Sequence, residues 1–332
     1  MIGAVELGLI YGVMALGVFM TFRVLNFPDL TVDGSFTTGA ATAAVAILAG
    51  WNPFLATIAG FVTGFIAGTV TGLLHTKGRI DGLLAGILTM IALWSVNLRI
   101  MDGANLPLLR TDTVFTPLRD ADLRGTWVGV LILLLIVVLL GLVVVWFFTT
   151  NLGLSIRATG DNGQMISSFG VSTDFTKTLT LALSNGFVGM CGALVAQFQG
   201  FADISMGIGL ILVGLASVIL GQAVLGQRWL WLAVLAVIVG AVLYRLIIFA
   251  ALDVGLDPND TRAITALLVV VALLLPRWRG ILGPFGRVAG ALAGGGGGTS
   301  GGTTSPDSSG GAAVAGGASA ARTGTGSAAG EG

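Results

Sequence analysis

The sequence predicts an all-α integral membrane protein: about nine transmembrane helices in two inverted repeats, followed by a disordered C-terminal tail. Three observations predict it. Hydrophobic residues make up 55% of the 332 residues and charged residues only 10%, against about 25% charged in a soluble domain. Mean hydropathy is +0.96, and so little charge cannot cover a water-facing surface. Apolar runs approaching the ~20 residues that cross a hydrocarbon core recur along the chain, and two segments, one in each half, echo each other. An outer-membrane barrel is excluded because its strands alternate polar and apolar residues. The 16 basic and 16 acidic residues balance, which leaves no basic footprint for nucleic acid. One cysteine, Cys191, excludes an intrachain disulfide. One histidine, His75, excludes a multi-histidine metal site.

The expected spans are residues 2–22, 35–50, 53–74, 82–101, 126–149, 178–200, 205–225, 229–251 and 262–276. The run from Met1 to Thr21 is broken only by Glu6 and lacks a basic start and a cleavage site. It is expected to stay as the first span and not to be a signal peptide. The second and ninth runs are short. From about Ala293 onward the chain is Gly, Ser, Ala and Thr, which cannot bury enough apolar surface to offset ordering entropy. The expected domains are therefore a transmembrane domain, 1–287, and a disordered tail, 288–332.

Basic residues set the direction. His75, Lys77, Arg79, Arg157, Lys177, Arg228, Arg277, Arg279 and Arg287 fall on one side of nine crossings. This places the C-terminus in the cytoplasm and the N-terminus outside. The loop 102–125 fits poorly, with Arg110, Arg119 and Arg124 on the outer side. In the third span Gly60, Gly64, Gly68 and Gly72 recur every four residues. They share one helix face, so another backbone is expected to approach closely there, within the bundle or from a second subunit.

The echo joins Asp29-Leu-Thr-Val-Asp-Gly-Ser-Phe36 to Asp203-Ile-Ser-Met-Gly-Ile-Gly209. Each opens a following helix. Under the expected topology they lie near opposite faces, as in inverted-repeat transporters; acids and hydroxyls at helix starts are also ordinary caps. Between spans five and six lies the most polar loop on the basic side, Asn151 to Asp174. A short amphipathic helix is expected from about Gln164 to Phe169, with Met165, Ile166 and Phe169 on one face and Gly160 and Gly170 as flanking turns. Such a surface helix suits docking of a soluble partner.

This arrangement resembles the permease subunits of bacterial ATP-binding cassette importers of the branched-chain amino acid and ribose class, over roughly residues 1–287. Asn26-Phe-Pro-Asp-Leu-Thr-Val-Asp-Gly-Ser35 is most similar to a subgroup linked to tryptophan or tyrosine uptake. The resemblance implies a transport subunit of the bacterial plasma membrane, not an enzyme, that moves a small solute inward. It implies an ATPase-coupling segment at Arg157, Gly160, Asp161, Asn162, Met165, Phe169 and Gly170. It also implies an ATPase subunit, an extracytoplasmic binding protein and a second permease copy or paralogue as partners. The chain has no cofactor of its own: its two lysines, Lys77 and Lys177, lie outside any GxxxxGK[ST] loop, so ATP belongs to the partner.

Polar residues within the spans are costly in lipid. Together with the echo segments, Asn26, Asp29, Asp33, Ser35, Asn97, Asn185, Gln197, Asp203 and Ser205 form the candidate lining of a substrate path. Arg245 is expected to snorkel to the interface, and Glu6 to sit at the outer interface. Trp51, Trp127, Trp146, Trp229 and Trp231 fall near span ends, as an aromatic belt requires. The competing reading, an ion-gradient-driven secondary transporter, needs paired acids or a histidine relay deep in the membrane, and most acids fall in loops.

Overall fold

Local chemistry explains most element boundaries. Asn52 accepts the Phe54 N–H at 2.9 Å ahead of Pro53, and Asp81 accepts the Leu83 N–H at 3.0 Å, each satisfying a donor that a helix start leaves unpaired. Thr126, Thr150 and Ser172 do the same for their helices. Left-handed residues Asp102 and Gly200 close two others, the usual helix stop.

The computed structural model describes residues 1–109, 111–226, 228–255, 261 and 263–271. The helices are α1 (Ile2–Val18), α2 (Thr31–Leu48), α3 (Pro53–Thr76), α4 (Gly82–Met101), α5 (Thr116–Asp120), α6 (Trp127–Thr149), α7 (Asn151–Ser168), α8 (Thr173–Gln199), α9 (Leu210–Leu225) and α10 (Leu230–Asp253). Residues Phe19–Val24 extend α1 as a π-helix, in which the Leu25 N–H reaches the Met20 carbonyl at 3.1 Å. Residues 263–271 are also helical. Two short strands, β1 (Asn105–Pro107) and β2 (Phe201–Asp203), pair antiparallel with Leu106 opposite Ala202. The tail expected over 288–332 and the end of the ninth run lie outside the described residues.

Six described helices are long and apolar enough to cross a membrane: α1 with its extension, α3, α4, α6, α8 and α10. The expectation of about nine such spans is corrected in two places. α2 carries Thr31, Asp33, Ser35, Thr37, Thr38 and Thr42, yet it is almost wholly buried against α8, α3 and α4, so surrounding helices and not lipid set its composition. α9 begins at Leu210 and not at 205. Its 16 residues rise roughly 24 Å, less than the ~30 Å hydrocarbon core.

α1, α2 and α8 form the centre of the bundle, and α3, α4, α6 and α10 wrap it. The glycine face of α3 lies antiparallel along α8. A Cβ at Gly64 would fall on the Asn185 carbonyl oxygen, and one at Gly68 on the Leu181 carbonyl oxygen. The expected seam is thus internal to the bundle. Apolar lipid offers helices no hydrophobic reward for pairing, so close backbone packing of this kind holds them together. The opposite face of α3 exposes Phe54, Ile58, Val62 and Ile66.

The two ends of the bundle differ. At one, β1 and β2 tie the C-terminal ends of α4 and α8 together. Here the Gly125 N–H donates to Glu6 at 2.9 Å, so Glu6 is buried beneath the 102–125 loop at this end of the bundle. Arg124 donates to the Phe198 carbonyl at 2.6 Å and stacks on the Phe198 ring, which explains one arginine of the loop that fitted the charge pattern poorly. At the other end lie α7, the turn with His75, Lys77 and Arg79, and the turn with Arg228. His75 bonds the Ile80 carbonyl and meets the Phe27 ring edge-on.

Candidate functional site: a coupling helix and a polar junction

The helix expected over Gln164–Phe169 is the second part of a longer one. α7 runs from Asn151 to Ser168 and breaks only at Asn162, whose backbone leaves helical geometry. The Asn162 carboxamide oxygen accepts the Met165 N–H at 3.0 Å, which caps the second part. Met165 and Phe169 are 56% and 72% exposed, and Arg157, Asp161 and Asn162 are also exposed. Gly170 is a turn residue with φ of +83°. Gly160 is not: it is helical, and a Cβ there would strike the Val24 carbonyl oxygen. Its role is close approach to the π-helical end of α1. Asn26, in the left-handed region with φ of 53°, donates to the Gly160 carbonyl at 3.2 Å. A residue expected on the substrate path therefore sits against α7.

From Asn26 the chain turns back into the bundle. Asp29 is buried; it accepts the Thr31 N–H at 2.9 Å and the Asn185 amide at 2.6 Å. The first of these bonds starts α2 at Thr31, four residues before the expected position. Thr31 meets Thr71 of α3 at 2.8 Å. One turn further, Asp33 accepts the Gly209 N–H at 2.8 Å and the Ile211 N–H at 2.9 Å. A carboxylate at a helix start satisfies its orphan donors and complements its dipole. This delays α9 to Leu210: residues 204–209 reach from β2 to Asp33 in turns, and a Cβ at Gly207 would strike the Asp33 carbonyl oxygen.

The two echo segments thus touch at Asp33. They also share a local form: Asp29 accepts from Thr31 N and Asp203 from Ser205 N at 2.8 Å, the same two-residue turn. Asp203 is further bonded by the Ser205 hydroxyl and by Asn105 at 3.3 Å. Burial raises the Asp203 carboxyl, but these hydrogen bonds outweigh it and hold the group below the ordinary carboxylate range.

Of the remaining candidates, Gln197 braces the bundle, with its oxygen on the Val114 N–H at 3.0 Å and its amide on Thr57 at 2.8 Å. Asn185 spends its amide hydrogens on Asp29 and the Leu181 carbonyl. Asn97 donates to the Gly34 carbonyl at 3.5 Å. Among the described residues, Ser35 Oγ, Asn97 Oδ1 and Asn185 Oδ1 are buried without a partner. Asp33, Thr37, Trp94, Asn97 and Ile208 line a cavity of about 390 Å³ between α2, α4 and the 204–208 segment. A larger groove of about 580 Å³ between α3 and α4 is almost entirely apolar. Its Thr38, Thr63 and Thr89 hydroxyls donate to their own helix carbonyls, and no charged side chain among the described residues lines it.

Sequence reasoning placed Asp29 and Asp33 near a face and missed their depth. The signal for that depth was their spacing from Asn26-Phe-Pro, a helix-breaking entry. It also expected Arg245 to snorkel; the guanidinium instead lies over the Tyr11 ring at 4.1 Å from its centroid. Separate donors hold Asp29 and Asp33.

A family model described as the permease component of branched-chain amino acid transport systems matches residues 1–275. The tyrosine transport system permease protein of Clostridioides difficile is 37% identical over 265 residues, 80% of this chain and 87% of that protein. The Rickettsia prowazekii protein RP368, uncharacterized, is 34% identical over 277 residues, 82% of this chain and 96% of that one. The ribose import permease protein RbsC of Bacillus subtilis is 29% identical over 213 residues, 63% and 64% of the two chains. No solved structure matches the chain.

Proposed function

The chain belongs to the permease-component family of branched-chain amino acid transport systems, the membrane subunits of ATP-binding cassette importers, and from that premise we propose that it carries a free amino acid inward, coupled through α7 to a separate ATPase. It is a transport subunit and not an enzyme. The amino acid assignment draws on the family's description and on the relative named for tyrosine transport.

One observation carries the coupling role. α7 displays Met165 and Phe169 on one side and is bound through Gly160 to Val24 and Asn26 on the other. A partner that grips the apolar knobs pulls on the second part of α7 and, across the break at Asn162, on the first. The motion passes to residues 24–30 and so to Asp29 and Asp33, which hold α8 and α9. The α7 end also gathers Lys77, Arg79, Arg157, Lys177 and Arg228, which supports reading that end as cytoplasmic and the β1–β2 end and N-terminus as outside. A binding protein then delivers solute at the β1–β2 end. Two permease copies, or a pair of related permeases, complete the pathway with two ATPase subunits.

The test is reconstitution of the chain in liposomes, alone and with its ATPase and binding protein. Uptake of L-tyrosine or a branched-chain amino acid is expected only with both partners and ATP. Met165→Ala with Phe169→Ala should reduce that uptake at least tenfold while the protein stays folded, since exposed side chains contribute little to stability. Uphill uptake by the chain alone on a proton or sodium gradient contradicts the reading.

A further inference from the structure

Resting on the amino acid reading above, we propose that the cavity between α2, α4 and residues 204–208 recognises the ammonium group of the transported amino acid. The ammonium faces Asp33 and Asn97, and an apolar or aromatic body lies against Trp94. The cavity holds about 390 Å³, within the ~300–1,000 Å³ range of small-molecule sites.

The polar atoms select the ligand. Asn97 is 1% exposed, and its Oδ1 has no partner among the described residues. A buried acceptor left unpaired is unfavourable, so the position calls for a donor. Asp33 accepts backbone N–H groups at the start of α9, and a carboxylate offers about four acceptor sites in all. The Thr37 hydroxyl donates to the Asp33 carbonyl at 3.3 Å, which leaves its oxygen as an acceptor. Among the described residues, no lysine or arginine lines the cavity. Three acceptors, one of them anionic, match the three N–H donors of a primary ammonium. A neutral polyol supplies donors without the charge that would balance Asp33.

Asp33 belongs to one echo segment and is held by the Gly209 N–H of the other, so movement of either segment alters the grip on the ammonium.

The experiment compares L-tyrosine uptake by the complete importer, with ATPase and binding protein, for wild type, Asn97→Leu and Asn97→Asp. Asn97→Leu should slow uptake at saturating binding protein at least tenfold, with ATP hydrolysis within twofold of wild type; Asn97→Asp should retain most uptake. Wild-type rates in Asn97→Leu overturn the proposal. Absence of uptake by wild type overturns the amino acid reading itself, so the two failures are distinct. Should Asn97→Leu fail to fold, Ser95→Cys in the cavity lining is labelled with a methanethiosulfonate reagent; Cys191 is buried. L-Tyrosine should slow labelling at least threefold and 3-(4-hydroxyphenyl)propanoate, which lacks the ammonium, should not. Equal effects of the two compounds, or none from tyrosine, overturn the proposal.

Discussion

The α3–α8 seam and the junction of the echo segments lie side by side and are built on opposite principles. In the seam, glycines let backbones touch, and Gly60, Gly64 and Gly68 leave no space for a methyl group. In the junction, the helices stop short. Carboxylates hold the loose ends, and Ser35 and Asn97 keep buried polar atoms without partners among the described residues. A close-packed interface resists gradual deformation, whereas an end held by a few hydrogen bonds can exchange them. In the proposed mechanism the seam is the frame, and the junction is the part that moves.

The strongest way to break this contrast is to fill the seam. Gly64→Val should destabilise the folded protein by about 3 kcal/mol, roughly 6–12 °C in the temperature at which detergent-solubilised protein loses monodispersity. Asp33→Ala comes next. It removes two charge-assisted bonds to the start of α9 and should lower stability by about 2–3 kcal/mol, with loss of uptake. Thermal stability and transport together separate the two contributions.

The seam was legible because four glycines at a fixed spacing encode a helix face with no tertiary information. The expected spans 53–74, 82–101 and 126–149 agree with α3, α4 and α6 to within two residues for the same reason. The junction was less legible. Asp29 and Asp33 read as caps, and caps they are, but their donors include Asn185, Gly209 and Ile211, more than 150 residues away. Composition could not disclose that α2 is sheathed by its neighbours. Nor could a period reveal that Gly160 serves an approach to Val24 and not a turn.

A finer probe is the Asp29–Asn185 contact. Asp29→Asn sets two amide groups against each other and should cost about 1–2 kcal/mol. Adding Asn185→Asp restores a donor–acceptor pair and should recover most of it, a coupling that a double-mutant cycle measures. The smallest effect is expected at Gly3, where a Cβ meets nothing within 4 Å. Gly3→Ala should stay within about 0.5 kcal/mol of wild type, which shows that glycine content alone does not make a seam.

The most direct measurement is the number of solute molecules imported per ATP hydrolysed by the reconstituted complex carrying Gly160→Val. The side chain has no space against Val24 and should part α7 from the junction while Met165 and Phe169 still engage the ATPase. The account predicts continued hydrolysis with the transport ratio reduced at least tenfold. An unchanged ratio would contradict the claim that α7 drives the junction through this contact.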